Sequence, residues 1–202
     1  MSLEFWFEFA STYSYPAALR VEDVARARGV DLVWRPFLLG PIFKDQGWND
    51  SPFNLYPAKG RYMWRDLERI CAELGFPFHR PSRFPRPSLL AARVACRFAS
   101  EPWLPEFVRS VYRASFAEDL EIGDAKVVSD RLEALGLRGA ALVDEAQAAE
   151  SKEALRAQTE RAAALGIFGA PSFVADGELF WGNDRLEAAV AWCASRAKGA
   201  GR

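Results

Sequence analysis

Two serines stand three residues apart just after the first apolar run of the sequence. Residues 9–16 read Phe-Ala-Ser-Thr-Tyr-Ser-Tyr-Pro, so Ser11 and Ser14 flank Thr12 and Tyr13. A serine hydroxyl can hydrogen-bond to a thiolate, but it cannot form a disulfide. None of the three cysteines falls in this segment; they are Cys71, Cys96 and Cys193. If this segment is an active site, its sulfur must arrive with a cofactor.

Two further segments carry polar groups at turns near the end of the sequence. Residues 167–173 read Ile-Phe-Gly-Ala-Pro-Ser-Phe, and Pro171 stands directly before an apolar run. Trp181 and Gly182 then lead into Asn183 and Asp184, one of which we expect to cap the last helix. The free N–H groups of such a helix N-terminus suit a carboxylate.

The elements that position these residues follow from hydrophobic patterning. Residues 3–9 and 31–38 are short, apolar and bounded by turn signals, which predicts two strands. Between them a helix is predicted from about Ser14, with Pro16 in its first turn and Gly29 just past its end. A strand, helix, strand unit of this length implies parallel strands.

The middle of the chain predicts helices and one irregular segment. Prolines interrupt residues 40–88, where one helix stands out and is stopped by Gly75. Residues 77–87 predict an ordered loop, which we expect to be packed by Phe76, Phe78 and Phe84. After Ser88, which we expect to be an N-cap, alanine-rich helical patterns continue to about residue 165.

The last elements complete a known order. Residues 172–175 and 178–181 flank Asp176-Gly177, which predicts a tight hairpin followed by the final helix. The order βαβ, helices, ββα is that of the α/β thioredoxin-like fold, interrupted here by an all-α insertion. We expect a thioredoxin-like domain from residues 1–40 plus 166–202 and a helical domain from residues 41–165.

The thioredoxin topology gives the polar segments a place. Its reactive group lies at the N-terminus of the first helix, where the helix end lowers the pKa of a nearby thiol. Ser11 occupies that position. The proline before the third strand is usually cis in this fold, which turns the N–H and C=O of the preceding residue, here Ala170, toward a peptide-like ligand.

Composition excludes several classes of function. The 202 residues include 26 Lys+Arg and 27 Asp+Glu, a net charge of −1, which argues against a nucleic-acid-binding protein. Three widely spaced cysteines predict neither a disulfide framework nor a metal site. The N-terminus is typical of a strand and not of a signal peptide, and no apolar run is long enough to span a membrane. We therefore expect a cytoplasmic protein.

Three motifs together resemble a known family. They are the Ser-x-x-Ser-Tyr pattern, Phe-Gly-Ala-Pro-Ser at 168–172, and Phe-Trp-Gly-Asn-Asp-Arg-Leu at 180–186. The chain resembles the 2-hydroxychromene-2-carboxylate isomerase family, which is similar to kappa-class glutathione transferases and more remotely to DsbA-like oxidoreductases. The resemblance covers essentially the whole chain. Thr12 departs from it, because the family commonly has proline at that position.

The resemblance implies a glutathione-dependent enzyme and assigns roles to matching residues. Ser11 would be the catalytic residue that holds the sulfur of glutathione as a thiolate, and Ala170, before Pro171, would pair with the cysteinyl part. The residues expected to hold the γ-glutamyl end are Trp181, Gly182, Asn183 and Asp184. Those expected to line the aromatic substrate site are Ile42, Phe43, Lys44, Asn54 and Phe84, with Lys44 the natural partner of a substrate carboxylate.

The implied reaction is an isomerisation. Reversible addition of the thiolate would convert 2-hydroxychromene-2-carboxylate, or a related intermediate of aromatic hydrocarbon catabolism such as naphthalene degradation, to trans-o-hydroxybenzylidenepyruvate. The partners implied are a small aromatic carboxylate and a second copy in a homodimer. Two alternatives remain: a kappa-type glutathione transferase or peroxidase, and a non-catalytic thioredoxin-fold module that binds a peptide.

Other chemically capable residues receive no role. His79, the single histidine, lies among prolines with no paired acid or nucleophile. Glu4 and Glu8 are expected on one face of the first strand, too far apart to act as an acid and base couple. The cysteines fall on apolar helical faces, where a free cysteine packs as a small hydrophobe.

Overall fold

Four strands form one mixed sheet in the computed structural model, which describes residues 2–199. They are β1 (Ser2–Phe7), β2 (Asp31–Pro36), β3 (Ser172–Ala175) and β4 (Glu178–Trp181). Their order in the sheet is β2-β1-β3-β4; β1 is parallel to β2 and antiparallel to β3. All four predicted strands are confirmed. Residues 1 and 200–202, which belong to the predicted terminal domain, lie outside the described residues.

Ten α-helices occur in residues 2–199. Helix α1 (Ser14–Arg26) connects β1 to β2, and the helices between β2 and β3 are α2 (Leu39–Asp45), α3 (Pro52–Leu55), α4 (Pro57–Leu74), α5 (Leu89–Arg97), α6 (Leu104–Phe116), α7 (Ala125–Glu133), α8 (Gly139–Ala146) and α9 (Ala149–Ala164). A 3₁₀ turn, Asn183–Arg185, leads into α10 (Leu186–Gly199). No helix in this part of the chain is both long and apolar enough to cross a membrane.

Strand β1 is the centre of the core, because its side chains alternate between two buried faces. Phe5 and Phe7 belong to the large hydrophobic cluster that α1, α6 and α10 complete. Trp6 points to the other face, where it packs with Phe37 and Ile42 in a second cluster. A strand that is buried on both faces explains why the first apolar run is continuous instead of alternating.

Local sequence signals set the ends of two helices. Helix α1 has Pro16 in its first turn, and Gly29 follows its end with a φ of +64°. Helix α4 ends at Gly75, whose φ of +68° is left-handed. Both ends agree with the predictions, because glycine adopts positive φ without a steric cost.

The irregular segment over residues 77–87 is packed as expected. Phe76, Phe78 and Phe84 are partly buried against the main cluster. Arg86 fixes the segment: its buried guanidinium donates to Glu121 Oε1 at 2.6 Å and to the Ser115 carbonyl at 2.9 Å, and it also bonds to Asp119.

The expected helix cap at Ser88 is confirmed in its position, at the N-cap of α5, but makes no capping hydrogen bond. Instead the hydroxyl bonds to the carboxyl group of Glu8. A long-range polar contact therefore replaces the local one that the residue type predicted.

The C-terminal hairpin confirms one prediction and corrects another. Asp176 and Gly177 have φ values of +52° and +77°, as a tight turn between β3 and β4 requires. The predicted side-chain cap by Asn183 or Asp184 is wrong, because Gly182 occupies the cap position of the 3₁₀ turn and no side chain caps it.

The helices between β2 and β3 share the main core with the sheet. The rings of Phe9 and Phe107 lie 6.4 Å apart, and those of Phe7 and Tyr112 also lie 6.4 Å apart. The short helices α2 and α3 were not predicted, because each is too short for a helical period to emerge and each contains or begins with proline. The division at residues 40 and 165 stays a prediction.

Candidate functional site

A cleft of about 1600 Å³ opens where the start of α1, the helices α2 to α4 and the turn before β3 meet. Of the residues that the sequence analysis singled out, those that line it are Ser11, Phe43, Lys44, Phe84, Ala170, Trp181 and Gly182. Those that do not are Ile42, Asn54, Pro171, Asn183 and Asp184.

Ser11 lies at the entrance to helix α1, half-buried. Its Oγ donates to the Ala170 carbonyl at 2.8 Å and accepts from the Ser14 N–H at 3.4 Å. The Ser11 N–H donates to the Glu8 carbonyl at 3.0 Å and closes a tight turn. This serine therefore joins the first helix to the proline turn across 159 residues of sequence.

The turn before β3 holds its backbone open toward the cleft. The Ala170–Pro171 peptide is cis, as expected, and Pro171 itself is buried. The Pro171 carbonyl accepts from the Gly182 N–H at 2.9 Å. Within residues 2–199, neither the Ala170 N–H nor the N–H of the buried Thr12 has a hydrogen-bond acceptor. Thr12 is buried and Ala170 is half-buried, and an amide left unpaired away from water is costly, so these two N–H groups are candidate ligand donors.

Trp181 forms an aromatic rim with Phe168. The two rings lie 4.9 Å apart, and Trp181 is 52% exposed although it belongs to β4. A Cβ on Gly169 would overlap the Trp181 indole, so only glycine fits there. The sequence left open whether Trp181 is a core residue, and the structure places it at the surface of the cleft.

The three residues that follow Trp181 face different ways. Gly182 has a φ of +112°, which strongly favours glycine. Asn183 turns away from the cleft: it is buried, and its Oδ1 accepts from Arg20 at 3.2 Å. Asp184 is exposed and paired with Arg185 at 3.2 Å, at the edge of the cleft.

The opposite wall is aromatic and cationic. The Phe43 and Trp48 rings lie 5.6 Å apart in a tilted arrangement. Lys44 and Lys59 are exposed at the cleft without an ion pair in the described part of the chain. Sequence reasoning missed Lys59, because no pattern at the start of α4 distinguishes this lysine from an ordinary solvated one.

Two residues expected on this wall stand behind it. Ile42 is 5% exposed and packs in the second hydrophobic cluster. Asn54 donates to Asp50 at 3.1 Å and to the Phe84 carbonyl at 3.5 Å. Asn54 therefore contacts the loop that carries Phe84 instead of lining the cleft itself.

Tyr13 is held as a neutral phenol at the mouth of the cleft. Its hydroxyl donates to Asp66 Oδ2 of α4 at 3.0 Å. Burial, then Asp66 and more weakly Asp184, raise the pKa of Tyr13. The hydrogen bond ties the start of α1 to the helical wall.

Glu8 is the most unusual group of the cleft, and sequence reasoning gave it no role. The chain leaves β1 at Phe7, so Glu8 is 5% exposed in the turn that leads to Ser11. Its Oε2 accepts from the Ala10 N–H at 2.9 Å, and Ser88 bonds to Oε1. Burial raises the pKa of Glu8 to about 7 despite these hydrogen bonds.

The cysteines play no part in the cleft. Cys71 and Cys193 are buried, Cys96 is half-buried, and burial raises the pKa of Cys71 to about 11. In the described residues, no group of three or more His, Cys, Asp or Glu side chains is arranged to hold a metal ion.

The comparisons with known proteins confirm the resemblance inferred from the motifs. The chain is similar to a 2-hydroxychromene-2-carboxylate isomerase of Sphingobium xenophagum, with 29% identity over 187 residues that cover 92% of this chain and 94% of the relative. It is 28% identical over 203 residues to glutathione S-transferase kappa 1 of Homo sapiens, covering 92% and 88% of the two chains.

A solved structure agrees with these sequences. A 2-hydroxychromene-2-carboxylate isomerase superposes with a TM-score of 0.83 and 25% identity over 98% of both chains. Residues 2–191 match the model of the DSBA-like thioredoxin domain. The predicted fold class is thus confirmed, and the chain belongs to the DSBA-like thioredoxin domain family.

Proposed function

We propose that this protein is a glutathione-dependent isomerase that acts on a small aromatic carboxylate of the 2-hydroxychromene-2-carboxylate type. The observation that carries the proposal is the meeting of Ser11 with the cis-proline turn at one end of an aromatic cleft that bears two lysines. Three isomerases of this name are among the relatives, each covering more than nine-tenths of the chain.

The residues present fit glutathione, which is a short peptide with two carboxylates and a thiol. The free N–H of Ala170 suits its backbone, and the N–H of Thr12 at the start of α1 suits its sulfur. The exposed carboxylate of Asp184 suits its ammonium group. Gly182 lines the same end of the cleft, whereas the side chain of Asn183 is engaged by Arg20.

Bound glutathione would supply a thiolate that adds reversibly to a conjugated double bond and so permits rotation. Ser11 would rotate its hydroxyl from the Ala170 carbonyl to donate to that sulfur. Such a bond needs to supply only a few kcal/mol, because lowering the thiol pKa by one corresponds to about 1.4 kcal/mol. The Phe43 and Phe84 rings would hold the aromatic part of the substrate, and Lys44 its carboxylate.

A conjugating glutathione transferase of kappa type is the second candidate. The 28% identity to the human kappa protein supports it, because the same Ser11 site would serve both reactions. We propose further that the protein works in the cytoplasm as a homodimer. Light scattering of the purified protein would test whether it is a dimer.

The test begins with binding. Thermal unfolding of the protein is followed with and without millimolar glutathione, since a ligand of the native state must raise the melting temperature. No rise would refute both enzymatic candidates and favour the peptide-binding module.

Turnover then separates the two reactions. Isomerisation of the chromene carboxylate without net loss of glutathione supports the isomerase, whereas stoichiometric consumption of glutathione supports the transferase. Ser11→Ala should lose most of either activity while the far-ultraviolet spectrum is unchanged.

A further inference from the structure

The carboxyl group of Glu8 is buried beside the Ser11 turn without a countercharge. Among the side chains that the structure describes it forms no ion pair, and its two oxygens meet different partners. Oε2 accepts from the Ala10 N–H at 2.9 Å, and Oε1 bonds to the Ser88 hydroxyl. A buried charge without a countercharge is costly, and loss of the charge by protonation relieves that cost.

These partners suit both protonation states of Glu8. The Ala10 N–H can only donate, so Oε2 must accept in either state. The Ser88 hydroxyl can donate to a carboxylate or accept from a carboxylic acid, because it rotates. A proton on Glu8 therefore binds at Oε1. Glu8 can be protonated and deprotonated without breaking the contact to Ala10 or to Ser88.

Glu8 also lies close to the position of the sulfur. The hydrogen bond from the Ser11 N–H to the Glu8 carbonyl, at 3.0 Å, closes a turn whose ends lie within about 7 Å. Two negative charges about 8 Å apart, at an effective dielectric constant of about 20, displace each other's pKa by about 1.5. A charged Glu8 and a thiolate at Ser11 therefore disfavour each other.

No other ionisable group near Glu8, among the residues described, is placed to take up the proton in its stead. Tyr112 donates its hydroxyl to the Glu8 carbonyl at 2.9 Å, and burial raises the pKa of Tyr112, as it does that of Tyr13. Arg86 is held by two carboxylates on the loop side. Lys44 of α2, Lys59 of α4 and Asp184 are all exposed to solvent.

We propose that Glu8 is a positioning residue that keeps the proton lost by the glutathione thiol, so that the site carries one negative charge before and after binding. The S–H bond breaks with its electron pair left on sulfur, and the proton forms an O–H bond at Glu8 Oε1. This inference rests on the proposed function, since it concerns glutathione held at Ser11.

Counting protons released on binding tests this inference. The heat of glutathione binding is measured in buffers of different ionisation enthalpy, at about one pH unit above and below the Glu8 pKa of about 7. Above it, a rise of about 1.5 in the Glu8 pKa returns about two-thirds of a proton to Glu8, so the native protein should release only about one-third of a proton per glutathione, whereas Glu8→Gln should release about one. Below it, Glu8 already holds a proton, so both proteins should release about one.

The outcomes separate this inference from the proposed function. Equal proton release by the native protein and Glu8→Gln above neutral pH would overturn the role of Glu8 while glutathione binding stands. No binding by the native protein would instead overturn the proposed function and this inference with it.

Ser88→Ala provides a second variant if Glu8→Gln does not fold. It removes a hydrogen bond that lowers the Glu8 pKa, so the pH at which proton release begins to fall should move upward. An unmoved pH would also overturn the role of Glu8. Glu73→Gln, an exposed change on α4, is the matched control and should behave as the native protein.

Discussion

Replacing Glu8 by glutamine should change how the stability of the unliganded protein depends on pH. In the folded protein, burial raises the pKa of Glu8 from an ordinary 4.5 to about 7. Between these values the folded state holds a proton that the unfolded state has lost, so rising pH destabilises the fold. Glutamine has no such proton, and its amide can accept from Ala10 while donating to Ser88.

The size of the effect follows from the two pKa values. Each unit by which the folded-state pKa is raised corresponds to about 1.4 kcal/mol in the free energy of unfolding. Glu8 therefore contributes about 3 kcal/mol in all, of which about 2.5 kcal/mol is lost between about pH 5 and about pH 8. Below 4.5 the contribution is fully present, and it is lost as pH rises through 7. Glu8→Gln should therefore be more stable than the native protein at the alkaline end of this range.

Urea unfolding at several pH values measures the effect. The free energy of unfolding of the native protein minus that of Glu8→Gln should fall by about 2.5 kcal/mol from about pH 5 to about pH 8. Glu73→Gln controls for the loss of one carboxyl at an exposed position. Parallel curves for the native protein and Glu8→Gln would refute the burial argument for this residue.

Three further predictions concern the frame of the cleft. Ser11→Ala should lower glutathione-dependent turnover at least tenfold but cost only about 1 kcal/mol in urea unfolding, since it removes one hydrogen bond to Ala170; a large loss of stability would mean that Ser11 is mainly structural. Gly182→Ala should cost about 1–3 kcal/mol because of its φ of +112°, and its Cβ would also displace the Asp184 carboxylate; an unchanged melting temperature would contradict this. Arg86→Leu should cost about 1–3 kcal/mol, because it leaves the buried Ser115 carbonyl without its donor; a loss well below about 1 kcal/mol in the same assay would show that the loop does not depend on Arg86.

The fold was predictable because its signals are local. Asp176-Gly177 and Gly75 each require a backbone conformation that few residues adopt, so the hairpin and the end of α4 could be read from residue type. The alternation of Phe5, Trp6 and Phe7 across two cores could not, because a run of aromatics does not tell which helix covers which face.

The site was predictable only in part, for a related reason. Ser11 and Ala170 lie in motifs, and the structure brings them within hydrogen-bond distance. Glu8 was misjudged because it was assigned to a strand, whereas the chain turns after Phe7 and buries it. Its partner Ser88 is 80 residues away, and no spacing rule connects two such positions.

The pairing of β1 with β3 has a consequence for the synthesis of this protein. Trp6 pairs with Ser172, so one edge of β1 has no partner until residues 172–174 have been made. That edge belongs to a strand with aromatic side chains on both faces, a combination that promotes association between nascent chains. Chains cut short before the C-terminal hairpin should therefore aggregate, even though they contain almost all of the helices. The β3–β4 hairpin thus protects β1.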